Sequence, residues 1–276
     1  MLNKKENIQI ISSEQDSLRE YFLKIFRNRF LIQTFSKRDL KIKYAQMWLG
    51  LGWTIGSPLI SVAIYTLFFG YFLHLNTFKY PYLLYILSGL IAWNIFSQLY
   101  TNISSSLLSN RDIITKMAFP KIIIPLSKVL NVLIENVFLF VFFIVAFALF
   151  YVPLSWKIIV FPFALLGLIL TGFSIGLLLA ALSIKKRDVS LAAPNLINMS
   201  VWVTPVFFPV SIIPQAFQNY IYINPVAAYL DIFRWSFGLI DDINHFSAIG
   251  ILLSCVIFLT SFLLFKKSED FIVEYI

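Results

Sequence analysis

Long unbroken apolar runs alternate along the chain with short polar connections, most of them basic. A helix needs about 20 mostly apolar residues to cross a bilayer. Six segments meet that length: 51–73, 82–104, 122–152, 158–184, 195–213 and 246–265. The third and fourth are long enough to tilt or to extend beyond the lipid. Runs such as FLFVFFIVAFALF do not alternate, which excludes the short alternating strands of a membrane barrel. The predicted fold class is therefore an all-α integral membrane protein with six transmembrane helices.

Three other segments are patterned without being long enough to span. In 18–44, Leu18, Tyr21, Phe22, Ile25, Phe26 and Phe30 recur near helical spacing, with Arg19, Lys24 and Arg27 between them. That pattern predicts a basic amphipathic helix lying in the interface plane, or alternatively a basic helix packed on another subunit. Between spans two and three, SNRDIITKMAFPKIIIP predicts a short amphipathic helix suited to docking a partner. Ser109 or Asn110 would cap it, Asp112 would sit favourably in its first turn, and Pro120 would stop it. After a fifth span broken by Pro205 and Pro209, the stretch 214–243 is apolar but interrupted at Asn224 and Pro225. Two short helices, 215–223 and 226–239, are predicted to form a re-entrant hairpin on the outer side. Such backbone is tolerated only when buried in protein or lining a cavity. Asp231 and Arg234, three residues apart, are expected to pair near the outer surface. The chain thus divides into an N-terminal cytoplasmic part, 1–46, and one transmembrane domain, 47–276.

Composition sharpens this picture. Of 276 residues, 59% are hydrophobic and 13% charged, with 29 Phe, 13 Tyr and 6 Trp; mean hydropathy is +0.81. A soluble domain is about half apolar and a quarter charged, so an ordinary soluble enzyme, a disordered tail and a collagen-like fibre are excluded. The net charge of +8 follows topology. Ten basic residues precede span one, three lie between spans two and three, three between spans four and five, and two in the tail. The opposite side holds only Lys79, Lys157 and Arg234. This asymmetry places both termini in the cytoplasm and accounts for the charge by topology and anionic lipid, without nucleic acid. The first 20 residues have no long apolar core, so the first span is expected to be retained as the insertion signal.

Polar side chains mark faces within the spans. Asn94, Ser97, Gln98, Thr101 and Ser105 share a stripe of span two. Trp53, Ser57, Ser61, Tyr65, Phe68 and Phe72 share one in span one; Asn195, Asn198, Met199, Trp202, Val206 and Pro209 share one in span five. Such faces look at other helices or an aqueous path. Aromatic, amide-bearing faces suit a sugar path, because flat rings pack on sugar C–H groups and Asn bonds hydroxyls; the competing reading is a dimer interface. Lys128, Asn131 and Glu135 are expected to form a buried polar cluster of span three, with span two or the re-entrant segment as partner. A single carboxylate makes a poor proton relay.

Catalytic signatures are missing from this chain. None of the ten glycines is followed by Lys, so there is no phosphate loop, and no HExxH occurs. Asp241 and Asp242 are a close carboxylate pair, adjacent in a loop. Cys255 stands alone, and His74 and His245 are far apart, so no metal site is expected. The chain is read as a non-enzyme without cofactor whose driving energy comes from a partner.

The segments KRDLKIKYAQMWLGLGWTIGSPLI, LSGLIAWNIFSQLYTNISSSLLSNRDIITKMAFPKIIIPLS, KKRDVS, PVFFPVSIIP and NPVAAYLDIFRW occur here in order over nearly the whole chain. In them the chain resembles the transmembrane subunit of ABC-2-type exporters of lipid-linked polysaccharide, the O-antigen, teichoic acid and capsule permeases. The resemblance implies two copies forming a twelve-helix channel, and a nucleotide-binding ATPase subunit, carrying ATP and Mg, on each. It implies that the loop of Arg111, Asp112, Ile113, Ile114, Lys116, Phe119 and Pro120 is the coupling helix. It further implies that spans one and five line the channel at the dimer interface, with paired re-entrant helices at the outer mouth. Two alternatives stand beside an exporter of lipid-linked polysaccharide in the bacterial inner membrane: an ABC-2 permease for a small molecule or drug, and a membrane-embedded transferase acting on a lipid carrier.

Overall fold

The computed structural model describes residues 17–45, 50–73 and 80–275. Among the described residues every regular element is helical. Two helices open the chain, α1 (Leu18–Arg27) and α2 (Arg29–Ala45). The Ser17 hydroxyl accepts from Glu20 N–H and the Glu20 carboxylate accepts from Ser17 N–H, a reciprocal cap that starts α1. The helix breaks at Asn28, whose side chain donates back to Lys24 O at 2.8 Å. Phe26 and Phe30 stay exposed along this amphipathic pair.

Helix α3 (Gly50–Tyr65) continues without interruption into a π-helical stretch, Thr66–Phe72. Then come α4 (Tyr82–Ser104), the short α5 (Ser106–Ser109) and α6 (Arg111–Lys116), and α7 (Ile123–Leu149). A 3-10 turn, Trp156–Val160, leads into α8 (Phe161–Lys185), followed by α9 (Arg187–Ser200). After an irregular stretch come α10 (Gln215–Gln218), a 3-10 turn Asn219–Ile223, α11 (Pro225–Ser236) and α12 (Ser247–Tyr275).

Four helical segments are long and apolar enough to cross a membrane: Tyr82–Ser104, Ile123–Leu149, Trp156–Lys185 and Ser247–Glu269. The first predicted span corresponds to α3 and its π-helical continuation, Gly50–Phe72, with Gly56–Phe72 as its apolar part among the described residues. The fifth is corrected. Helix α9 starts at Arg187, eight residues before the predicted 195, and ends at Ser200; turns replace it from Val201. Pro205 and Pro209 lack the N–H that a continuing helix needs.

The bundle is built around α4, which is buried along most of its length, with α7, α8 and α11 packed on it. Helix α8 approaches α4 closely through two glycines four residues apart. A Cβ on Gly172 would lie 2.9 Å from Leu99 Cβ and 3.0 Å from Phe96 O, and one on Gly176 would lie 2.9 Å from Ile103 Cβ. Close packing of small residues substitutes for the hydrophobic drive that lipid removes. Gln98 of the polar stripe of α4 accepts from Asn136 Nδ2 of α7 at 3.2 Å, so at this point the stripe joins two helices.

Candidate functional site

The predicted docking helix exists, but it is anchored differently. Asn110 does not cap α6. Its amide donates backwards to Ser106 O at 2.8 Å, and its Oδ1 accepts from the Arg38 guanidinium of α2 at 2.5 Å. Pro120 does not end α6 either, since the helix stops at Lys116 and Pro120 begins the turn into α7. At its C-terminal end, Lys121 Nζ donates to Ile114 O at 3.2 Å and Met117 O at 3.1 Å. Burial pushes the Lys121 ammonium below the ordinary lysine pKa, against the pull of nearby Glu269.

The faces of α6 are now assigned. Ile114 is buried, Ile113 is half-buried, and Phe119 packs on Phe35 of α2 with ring centroids 5.5 Å apart. Arg111, Asp112, Thr115, Lys116 and Met117 point outward. A partner reading this surface therefore meets two cations, one carboxylate and the Met117 side chain; Ile114 and Phe119 are inward anchors.

The cluster of Lys128, Asn131 and Glu135 is real, but its partner is neither α4 nor the outer segment. Each residue finds a side chain of α2: Lys128 Nζ to Asp39 Oδ2 at 2.6 Å, Asn131 Oδ1 from Ser36 Oγ at 2.5 Å, and Glu135 Oε1 from Lys43 Nζ at 2.7 Å. Asp39 also accepts from Arg38 at 2.6 Å. A continuous chain of contacts thus runs Lys128, Asp39, Arg38, Asn110, from α7 through α2 to the start of α6. Helix α2, though carried outside the spans, supplies the opposite charges that burial in α7 requires.

At the opposite end of the bundle, the predicted pair of Asp231 and Arg234 is not formed as an ion pair. Arg234 is fully buried and reaches α4 and the irregular stretch after α9. It donates to Tyr85 Oη at 2.7 Å, Pro205 O at 2.8 Å and Val206 O at 2.8 Å, and its guanidinium lies 3.6 Å over the Tyr85 ring. Asp231 instead accepts from Tyr222 Oη at 2.5 Å. The physical reason lies in the unwound chain after α9: carbonyls there lose their helical partners, that of Pro205 because Pro209, four residues on, has no N–H, and a five-donor guanidinium is the side chain best able to satisfy several at once. Tyr82 and Tyr85 donate to Phe207 O and Phe208 O. Gly89 completes the site, because a Cβ there would lie 2.5 Å from Val206 O and 2.8 Å from the Arg234 guanidinium. The predicted interruption at Asn224 and Pro225 is present. Asn224 Oδ1 caps Val226 N–H at 3.0 Å, its amide donates to Thr204 Oγ1 at 2.9 Å, and Pro225 occupies the first turn of α11.

The stripes of spans one and five meet around one ring. Tyr65 and Trp202 both pack on Phe207, with centroids at 4.3 and 5.5 Å. Phe68 and Phe72 are exposed, as are Ser57, Asn195, Asn198 and Trp202; Ser61 is half-buried, its hydroxyl donating to Ser57 O. The side chain of Trp53 lies outside the described residues. A groove of about 280 Å³ lies beside α9, lined by Trp93, Phe96, Tyr100, Leu196, Ser200 and Asn224 among others.

Several of these residues were not singled out from the sequence as site residues. Tyr85 and Gly89 look like ordinary span residues, and Arg38 and Lys121 look like part of the basic topology signal. Asp39 carried one legible signal: it is a carboxylate within the strongly basic SKRDLKIK.

Comparison with known proteins follows this geometry. Residues 30–237 match the model of the ABC-2 type transporter family. The chain is 28% identical over 239 residues to the O-antigen export system permease protein RfbA of Klebsiella pneumoniae, covering 85% of this chain and 87% of that one. It is 27% identical over 189 residues to the protein of the same name from Myxococcus xanthus, covering 68% and 72%. It is 25% identical over 236 residues to the inner membrane transport permease YadH of Escherichia coli K12, covering 80% and 88%. With three quarters of its length matched in this way, and with its multi-pass helical bundle, the chain belongs to the ABC-2 type transporter family.

Proposed function

We propose that this chain is the membrane-spanning subunit of an ATP-driven exporter of lipid-linked polysaccharide, O-antigen first among such polymers, in the bacterial inner membrane. The observation that carries this is the match over most of both chains to permeases named for O-antigen export. In this reading two copies form the channel, and each binds one ATPase subunit that holds ATP and Mg. The eighteen-to-three split of basic residues supports cytoplasmic termini. It puts α1, α2, α6 and the end of α12 in the cytoplasm. The outward face of α6, with Arg111, Asp112, Lys116 and Met117, is then the contact with the ATPase. The segment from Pro214 to Leu239 is the re-entrant outer mouth, held to α4 by Arg234. The exposed aromatic and amide face of α3 and α9 is the surface shared between copies and passed by sugar.

Deleting the gene in a cell that still synthesises the polymer is the direct test. Lipid-linked polymer should accumulate inside and vanish from the surface, and the intact gene should restore display. Normal surface polymer in the deletion strain overturns the substrate assignment. A second reading, export of a small molecule, draws on the likeness to YadH, whose name specifies no cargo; the same strain separates it, by losing resistance or secretion while polymer display persists.

A further inference from the structure

We propose that Glu269, acting with Tyr21 and Lys121, is a latch that positions α6, so that a force on α6 reaches the amphipathic helices and the end of α12 as one movement. This rests on the reading of α6 as the ATPase contact. Glu269 and Tyr21 both lie outside the 30–237 stretch that matches the family model.

Both carboxylate oxygens of Glu269 are used on different elements. Oε2 accepts from the Tyr21 hydroxyl of α1 at 2.5 Å, and Oε1 accepts from the backbone N–H of Lys121, just before α7. Residues 248 and 148 positions away in sequence are thereby joined at one side chain. The stacked rings of Phe22 and Phe262, with centroids 5.6 Å apart, hold α1 to α12 alongside.

The backbone contact matters because of what the Lys121 side chain does. A helix leaves its last carbonyls unpaired, and one of six residues does not persist alone in water. Lys121 Nζ occupies the carbonyls of Ile114 and Met117 at that end of α6, where a cation also suits the helix dipole. Glu269 fixes the main chain from which this ammonium reaches back. At the other end of α6, Arg38 of α2 holds Asn110. Helix α6 is therefore clamped at both ends by elements that meet through α1, α2 and Glu269. Force needs such a rigid body to travel beyond the contact point, because a loose helix would absorb it locally.

Glu269 is thus a positioning residue, and its test needs a readout that simple packing would not move. The full chain is purified with the ATPase subunit that accompanies it, with Cys255→Ser and spin labels on cysteines replacing the exposed Thr115 and Lys267. Glu269→Ala should broaden the distance distribution between these labels while ATPase association is kept. Surface polysaccharide per ATP hydrolysed should fall about fivefold or more, the lower range of ordinary coupling between sites. Tyr21→Phe should shift both readouts the same way by less, and should add little to Glu269→Ala in the double variant. An unchanged distance distribution, or broadened distances with full export per ATP, overturns the latch. If Glu269→Ala fails to accumulate in the membrane, Tyr21→Phe, which deletes only a hydroxyl, carries the test alone, and wild-type values there overturn it. Failure of the underlying reading shows elsewhere: the ATPase would stay bound to Met117→Asp.

Discussion

Arg234 shows how far one buried side chain can decide a structure. A buried ionised side chain costs several kcal/mol unless it is partnered. Arg234 finds its partners in two carbonyls of the unwound chain after α9 and in the face and hydroxyl of Tyr85. Arg234→Ala removes a buried fork and strands the carbonyls of Pro205 and Val206, at a cost of about 3–5 kcal/mol. Thermal unfolding in detergent should show a lowered midpoint, together with reduced abundance in the membrane. Arg234→Lys should recover little, since an ammonium cannot reproduce the planar fork. An unaltered midpoint for Arg234→Ala would remove the tethering role. Gly89→Ala should act on the same site, because its methyl meets Val206 O at 2.5 Å, a backbone atom that cannot easily give way.

At the scale of elements, α6 separates an outward face, the proposed contact with the ATPase, from an anchoring face. Ile114 is 1% exposed and Met117 is 47% exposed, which decides what each substitution reports. Met117→Asp should abolish co-purification of the ATPase while the chain reaches normal levels in the membrane. Ile114→Asp should lower those levels themselves, by burying an unpaired carboxylate. Retention of the ATPase by Met117→Asp would relocate the docking face. The pair α4 and α8 makes a second case. Their approach depends on Gly172 and Gly176, so Gly176→Leu should force the helices apart and lower the unfolding midpoint by several degrees, as overpacking of about 1–3 kcal/mol does. A midpoint equal to that of the unmodified chain would show that the interface can yield.

On the scale of the whole molecule, α3 with its π-helical continuation and α9 with the turns after it lie at the edge of the bundle and present large side chains outward, among them Phe68, Phe72, Met199, Trp202 and Val203. Tyr65 and Trp202 converge on Phe207, so the two helices form one surface. Sugar passage needs many weak contacts in place of one tight site. Single Ala substitutions at Tyr65 and Trp202 should therefore slow export severalfold while dimer content, measured by cross-linking in membranes, stays normal. Loss of dimer accompanying every loss of export would assign the surface to subunit contact alone.

What the sequence determined by itself is everything set by local chemistry and solvent. The helical class, four of the spans, the break at Asn224 and Pro225, and the short helix after span two all follow from apolar run length and from proline, which act within a few residues. The extent of α9 differs from the apolar run because its first turn, beginning Arg187–Asp188, is polar while the turns beyond its end contain the apolar Val201–Val203; hydropathy registers the lipid, whereas the helix end follows Pro205. Polar side chains in apolar helices were legible as requiring partners. Which partners they take was decided only by the tertiary structure. Lys128, Asn131 and Glu135 turn to α2, Arg234 turns to α4 and the unwound carbonyls, and Glu269 turns to α1 and Lys121. A buried charge fixes the need for compensation but not its source, because any donor or acceptor that the fold carries within about 3 Å will serve, and that distance is settled by how distant parts of the chain pack.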